Sequence, residues 1–215
     1  MKTIKNILLL KSIGASAFII LLFLGSNPLQ AQHQHHSDNV QRTKNIYIAM
    51  MDTMMANMHN VPIGTTPEIV FLQQMIPHHE GALDMAKYEI AHGKNKNMIK
   101  LAESIVAEQK AEIKQMQCWL KEAKPAHGKL PEVFVSAMSN TMTTMMSNMP
   151  KESELNDTDR AFAAVMKPHH QAAIDMAKVI IQYSKNNRIN NYAKQLISAQ
   201  QEEVNTMSAF LSNKN

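Results

Sequence analysis

The sequence predicts an all-α bundle built from two homologous three-helix halves. Three observations lead there. The chain repeats at an offset of 91 residues, FLQQMIPHHEGALDMAK at 71–87 against FAAVMKPHHQAAIDMAK at 162–178, and the register holds from Met51/Met142 to Leu120/Leu211. Apolar residues recur in alternating steps of three and four near the end of each half. Strand signals are weak, because β-branched residues are scattered, glycines are few and no hairpin dipeptide separates alternating runs.

In chain order, residues 1–31 read as a secretory signal peptide. Lys2, Lys5 and Lys11 open it, an apolar run from Ile13 to Leu24 follows, and Pro28 and Ala31 lead into polar sequence. The run is short against the roughly 20 residues of a membrane span. Cleavage after Ala31 and a periplasmic or secreted destination are expected, with no stable membrane insertion afterwards. Cleavage removes three lysines and no acid, which takes the formal charge from +4 down to +1. No basic footprint for nucleic acid is left. Residues 32–44 read as a polar, disordered tail, and residues 45–215 as one duplicated domain with halves 45–124 and 132–215.

Each half reads as three helices. The first takes the Met-rich stretch, 44–59 and 133–149. The second carries a His pair, 67–91 and 158–184, and Thr66-Pro67-Glu68 and Asp157-Thr158-Asp159 supply its starts. The third runs 95–122 and 187–213. Its seam reads Met98, Ala102, Ile105, Gln109, Glu112, Met116, Trp119, and in the second half Ala193, Leu196, Gln200, Glu203, Met207, Phe210. A carboxylate in such a seam is costly unless a cation or donors meet it, so something in the core should answer Glu112 and Glu203. Pro77 and Pro168 either kink one continuous helix, freeing the carbonyls of Gln73 and Ala164, or begin a new helix at the His pair. Both readings stay open. Cys118 is the only cysteine, which excludes an intrachain disulfide, and it reads as a small buried hydrophobe.

On a helix Met75, His78, His79, Ala82, Met85 and Ala86 fall within an arc of roughly 120°. Met166, His169, His170 and Met176 repeat the arrangement. Thioethers beside imidazoles point to a soft transition metal, with Cu(I) favoured. Glu112 with Met116, and Glu203 with Met207, add candidate ligands from the third helix. Which imidazole of each pair ligates stays open, since the other can donate to Glu112 or Glu203 and orient the site. Met51, Met54, Met55, Met58 and their partners Met142, Met145, Met146, Met149 divide between packing and accessory ligation. Methionine at helical spacing usually fills cores, but 18 methionines in this chain is a high number. His33, His35 and His36 form a short tract suited to weak metal capture, including Cu(II) near a free amino terminus.

The blocks F-x-x-x-M-x-P-H-H-x-x-A-x-D-M-A and Q-x-x-E-[IV]-x-x-M each occur twice. Together they resemble the domain-of-unknown-function 305 family over nearly all of the chain from the Met-rich stretch onward. The resemblance implies a ferritin-like helical bundle and, for characterised members, periplasmic copper binding and copper tolerance. Its pattern falls on Met75, His78, His79, Met85, Gln109, Glu112 and Met116, then on Met166, His169, His170, Met176, Gln200, Glu203 and Met207.

The leading expectation is an exported protein that binds Cu(I) through Met/His clusters for sequestration, tolerance or delivery to another copper-handling protein, without catalysis. One alternative is a ferritin-like di-metal oxidase. That class needs facing Glu-x-x-His triplets, and here one triplet, Glu89 to His92, stands against Ile180 and Tyr183 in the repeat. The other alternative is a Met-rich helical module that docks partner helices. Oligomeric state, and whether the halves form one shared site or two, are not fixed by the sequence.

Overall fold

The structure is a computed structural model that describes residues 44–62, 64–124 and 129–213. The expected signal peptide, and the tail with His33, His35 and His36, lie outside the described residues apart from Lys44. Six α-helices follow one another: α1 (Ile46–His59), α2 (Pro67–His92), α3 (Lys96–Glu122), α4 (Glu132–Ser147), α5 (Thr158–Tyr183) and α6 (Asn187–Ser212). A 3-10 turn, Glu152–Glu154, precedes α5, and no strand occurs among the described residues. No described helix is long and apolar enough to cross a membrane.

The helix starts are written in the sequence. Thr66 accepts from Ile69 N at 3.3 Å with Pro67 in the first turn of α2. Asp157 accepts from Arg160 N at 2.9 Å at the same point of α5. Asn95 and Asn186, also equivalent positions, cap α3 and α6 through their side chains. Each cap satisfies amide groups that a helix end leaves without intrahelical partners. Pro77 and Pro168 both lie inside continuous helices, so neither begins a new helix at its His pair.

Short loops fold α2 against α3 and α5 against α6, and α2 and α5 join the halves by packing on each other. The outer helix α1 rests on α2, and α4 on α5. The core falls into two apolar clusters, and every central helix crosses from one to the other. Met75 belongs with Met116, Ala173 and Leu196; Ala82 belongs with Ile105, Met166 and Val204. Between them, at one level, lie His78, His79, Gln109, His169, His170 and Gln200, all buried. A polar layer thus divides the core.

Two expectations are corrected. The buried row of α3 and α6 passes through Ile113 and Val204 rather than Glu112 and Glu203. At 100° per residue neighbouring positions compete for the same seam, and the apolar side chain takes the interior while the carboxylate stays at its rim. The Glu112 and Glu203 side chains retain 26% and 12% exposure. Cys118 is exposed, not buried. It stands two residues after the buried Met116, on the opposite side of the helix.

Candidate metal centre

The helices that carry the His pairs approach closely because small residues face the interior. Ala82, Ala86, Ala173 and Ala177 are fully buried. Where α2 crosses α5, the rings of His78 and His169 lie 3.8 Å apart at 36°. His169 Nε2 donates to the carbonyl oxygen of His78 at 3.1 Å. The other two imidazoles turn outward within the layer. His79 Nε2 meets Glu112 Oε2 at 2.7 Å in an aligned hydrogen bond. His170 Nε2 lies equally close to Glu203 Oε2, 2.7 Å, but off the line of the ring N–H.

These contacts decide where the lone pairs are. A carboxylate or carbonyl oxygen can only accept, so Nε2 of His79 and of His169 carries the proton. Their Nδ1 atoms then carry the lone pair, and neither has a protein partner. His170 Nδ1 and both ring nitrogens of His78 are likewise buried without partners, as are both amide atoms of Gln109 and Oε1 of Gln200. Folded proteins leave few buried polar groups unpaired, and each asks for a water, an ion or a functional reason. Here they share one layer. Burial, then the neighbouring imidazoles, hold His78 and His169 well below the usual histidine range, so both are neutral at neutral pH. A neutral imidazole is the form that binds a metal.

Thioethers close the layer from both sides. Met75, Met116 and Met176 lie in one apolar cluster; Met85, Met166 and Met207 lie in the other. The two methionines that flank each His pair in sequence therefore belong to different clusters, and each cluster takes methionines from both halves. The motif of one half is completed by the other. Among the described residues no three His, Cys, Asp or Glu side chains form a group able to hold a metal ion. Imidazole nitrogens with thioethers on either side are the donor types that a soft metal favours.

Of the predicted ligands, the four imidazoles are buried in one layer and the six methionines are buried in the two clusters that flank it, while Glu112 and Glu203 contact imidazoles from the rim. Gln109 and Gln200, absent from the expected ligand set, are buried within the layer. The outer methionines divide. Met51, Met54, Met58 and Met145 are core residues, whereas Met55, Met142 and Met149 are half-buried and Met146 is 39% exposed. The Glu89 to His92 triplet is split between core and surface. Glu89 accepts from the Tyr47 hydroxyl at 2.8 Å, while His92 stacks on Tyr88 with ring centroids 3.9 Å apart.

A sequence model described as Domain of unknown function (DUF305) matches residues 19–120 and again 121–211. CopM in its silver-bound form superposes with a TM-score of 0.51 at 25% identity, covering 66% of this chain and 93% of that one. A DUF305 fragment from Deinococcus radiodurans gives 0.50 at 26% identity, over 70% of this chain and 98% of the fragment. CopM in its Cu(I)-bound form, at 24% identity and a TM-score of 0.50 over 66% and 94% of the two chains, matches in fold. Uncharacterized protein L153 of Acanthamoeba polyphaga mimivirus is 40% identical over 53 residues, 25% of this chain and 35% of that protein. The chain thus spans about a third of that relative's length.

Proposed function

The chain belongs to the DUF305 family across both its halves, and on that premise we propose that it binds a soft monovalent metal ion, Cu(I) above all, in the polar layer where α2 crosses α5. The observation that carries this reading is the set of unpartnered Nδ1 atoms on His79, His169 and His170, placed between two clusters of buried thioethers. Those nitrogens would hold the ion together with sulfur from Met75, Met116 and Met176 or from Met85, Met166 and Met207. Glu112 and Glu203 orient imidazoles rather than ligate. Such second partners fix the tautomer and raise ligand basicity. Thioethers are neutral, so binding releases no proton, and they serve where thiols oxidise. The occurrence of CopM in a silver-bound form supports a soft-ion reading, because Ag(I) and Cu(I) favour the same donors.

The role we infer is sequestration or transfer of the ion by an exported protein, without catalysis. The fully buried imidazoles support it, since a reacting metal keeps an open coordination position for its substrate. The leader-like residues 1–31 support export. The test is a titration under reducing conditions with a competing Cu(I) chelator, beside Zn(II), on the wild type and on His79→Ala/His170→Ala. Tight Cu(I) binding that the double variant loses is expected. Binding no better than micromolar, or unchanged in the variant, sinks the reading.

A further inference from the structure

We propose a second soft-metal site, in the groove between α1 and α4, with His59 Nε2 and the thioethers of Met55, Met142 and Met146 as donors. It shares with the central layer the reading that this protein handles a soft ion; none of its four donors belongs to that layer. The outer helices α1 and α4 have no extended contact with each other. The gap they leave is a groove of about 590 Å³ that reaches down to Met58, Met138 and Met176. Its rim carries three methionines: Met55 and Met142, half-buried at the edge of the core, and Met146, which is 39% exposed. Met55 and Met146 are equivalent residues of the two halves, and both line the same groove.

His59 makes the rim a donor set rather than an apolar edge. Its Nδ1 donates to the Met55 carbonyl at 2.7 Å, which leaves the lone pair on Nε2 of an exposed ring. The repeat equivalent of His59 is Pro150, so the imidazole comes from one side only. Among the described residues no Asp, Glu, Lys or Arg lines the groove. Hard divalent cations seek carboxylates and Zn(II) favours imidazole, carboxylate or thiolate sets. One imidazole with thioethers on neutral walls suits a monovalent soft ion. This site is open to solvent where the central layer is closed, so it loads and exchanges faster.

The experiment adds Ag(I) as a redox-inert probe to the whole chain, labelled with nitrogen-15, and follows the His59 ring nitrogens by NMR beside the number of ions bound. The His59 Nε2 resonance should move on addition. Met55→Leu/Met146→Leu and, separately, His59→Ala should each bind one ion fewer per chain than the wild type. His79→Ala/His170→Ala should keep the His59 response, which separates failure of the central reading from failure of this one. A His59 signal that stays still with Ag(I) in excess, or Leu variants that bind as many ions as the wild type, overturns the proposal. So does a groove that takes a Met-dependent helical peptide but no ion.

Discussion

His78 and His169 occupy the same position in the two halves of the chain and meet ring on ring, 3.8 Å apart, where α2 crosses α5. The duplication has thus placed two like groups where charging either one is costly. Burial first, then the nearby imidazoles, lowers both below their ordinary 6.5. Below that pH the unfolded chain binds protons that the folded chain does not, so folding stability rises with pH in this window and is lost on acidification. With Glu89, whose opposite slope falls in the same window, replaced by Gln, the metal-free protein should unfold at lower urea concentration at about pH 5.5 than at about pH 7.5. A constant midpoint would mean that the pair accepts protons in place.

Glu89 acts with the opposite sign. Burial first, then the neighbouring Asp159 carboxylate, pushes it from 4.5 up to about 8, although the Tyr47 hydroxyl pulls the other way. Its raised value gives stability that is full below pH 4.5 and lost as pH rises through about 8. Glu89→Gln should remove this falling limb and raise stability relative to the wild type above pH 8. The acid limb of the His pair is then read cleanly in the Glu89→Gln background. Urea midpoints across the range check it, and parallel profiles for wild type and variant would show that Glu89 titrates normally.

The carboxylates at the rim should matter for the metal more than for the fold. Glu112 hydrogen-bonds His79, and Glu203 contacts His170, from the rim of the core, where each carboxylate keeps some contact with water. Glu112→Gln and Glu203→Gln should each weaken Cu(I) binding by roughly 10–100-fold with little change in melting temperature. Glu112→Gln should have the larger effect, because its hydrogen bond is the aligned one. Chelator competition measures the first quantity and thermal melting the second. Equal affinities in wild type and both variants would assign the carboxylates to solubility alone.

Much of this fold is legible in the sequence, for physical reasons that can be named. Thr66, Asp157, Asn95 and Asn186 are side chains that satisfy helix-end amides, and the helices begin where they stand. The repeat then located the His pairs and the Gln/Glu/Met row. Helical spacing alone cannot choose between neighbouring positions such as Glu112 and Ile113. The exchange of Met75 and Met85 between clusters depends on how α2 crosses α5, and no local signal encodes a crossing. The Tyr47–Glu89 contact is hidden for another reason. Its equivalents are Met138 and Ile180, so a reading guided by duplication passes over a polar pair that only one half possesses.

That asymmetry extends to the way the outer helices sit. A Cβ at Gly81 would lie 2.8 Å from Met54 Cγ and 2.9 Å from its Cβ. Both atoms belong to the rigid stem of a buried side chain on α1, so α1 itself must move to admit a methyl group. In the second half the equivalents are Ala172 and Met145, and that interface already holds its Cβ. Overpacking a buried contact costs about 1–3 kcal/mol, whereas Gly→Ala in a helix interior returns about 1 kcal/mol. Gly81→Ala should therefore come out destabilising, lowering the melting temperature by a few degrees on the usual scale for a domain of this size. Ala172→Gly should also destabilise, here through lost helix propensity of about 1 kcal/mol. Melting curves of the two variants decide it. If Gly81→Ala melts higher than the wild type, α1 is free to shift, and the glycine is not what seats it.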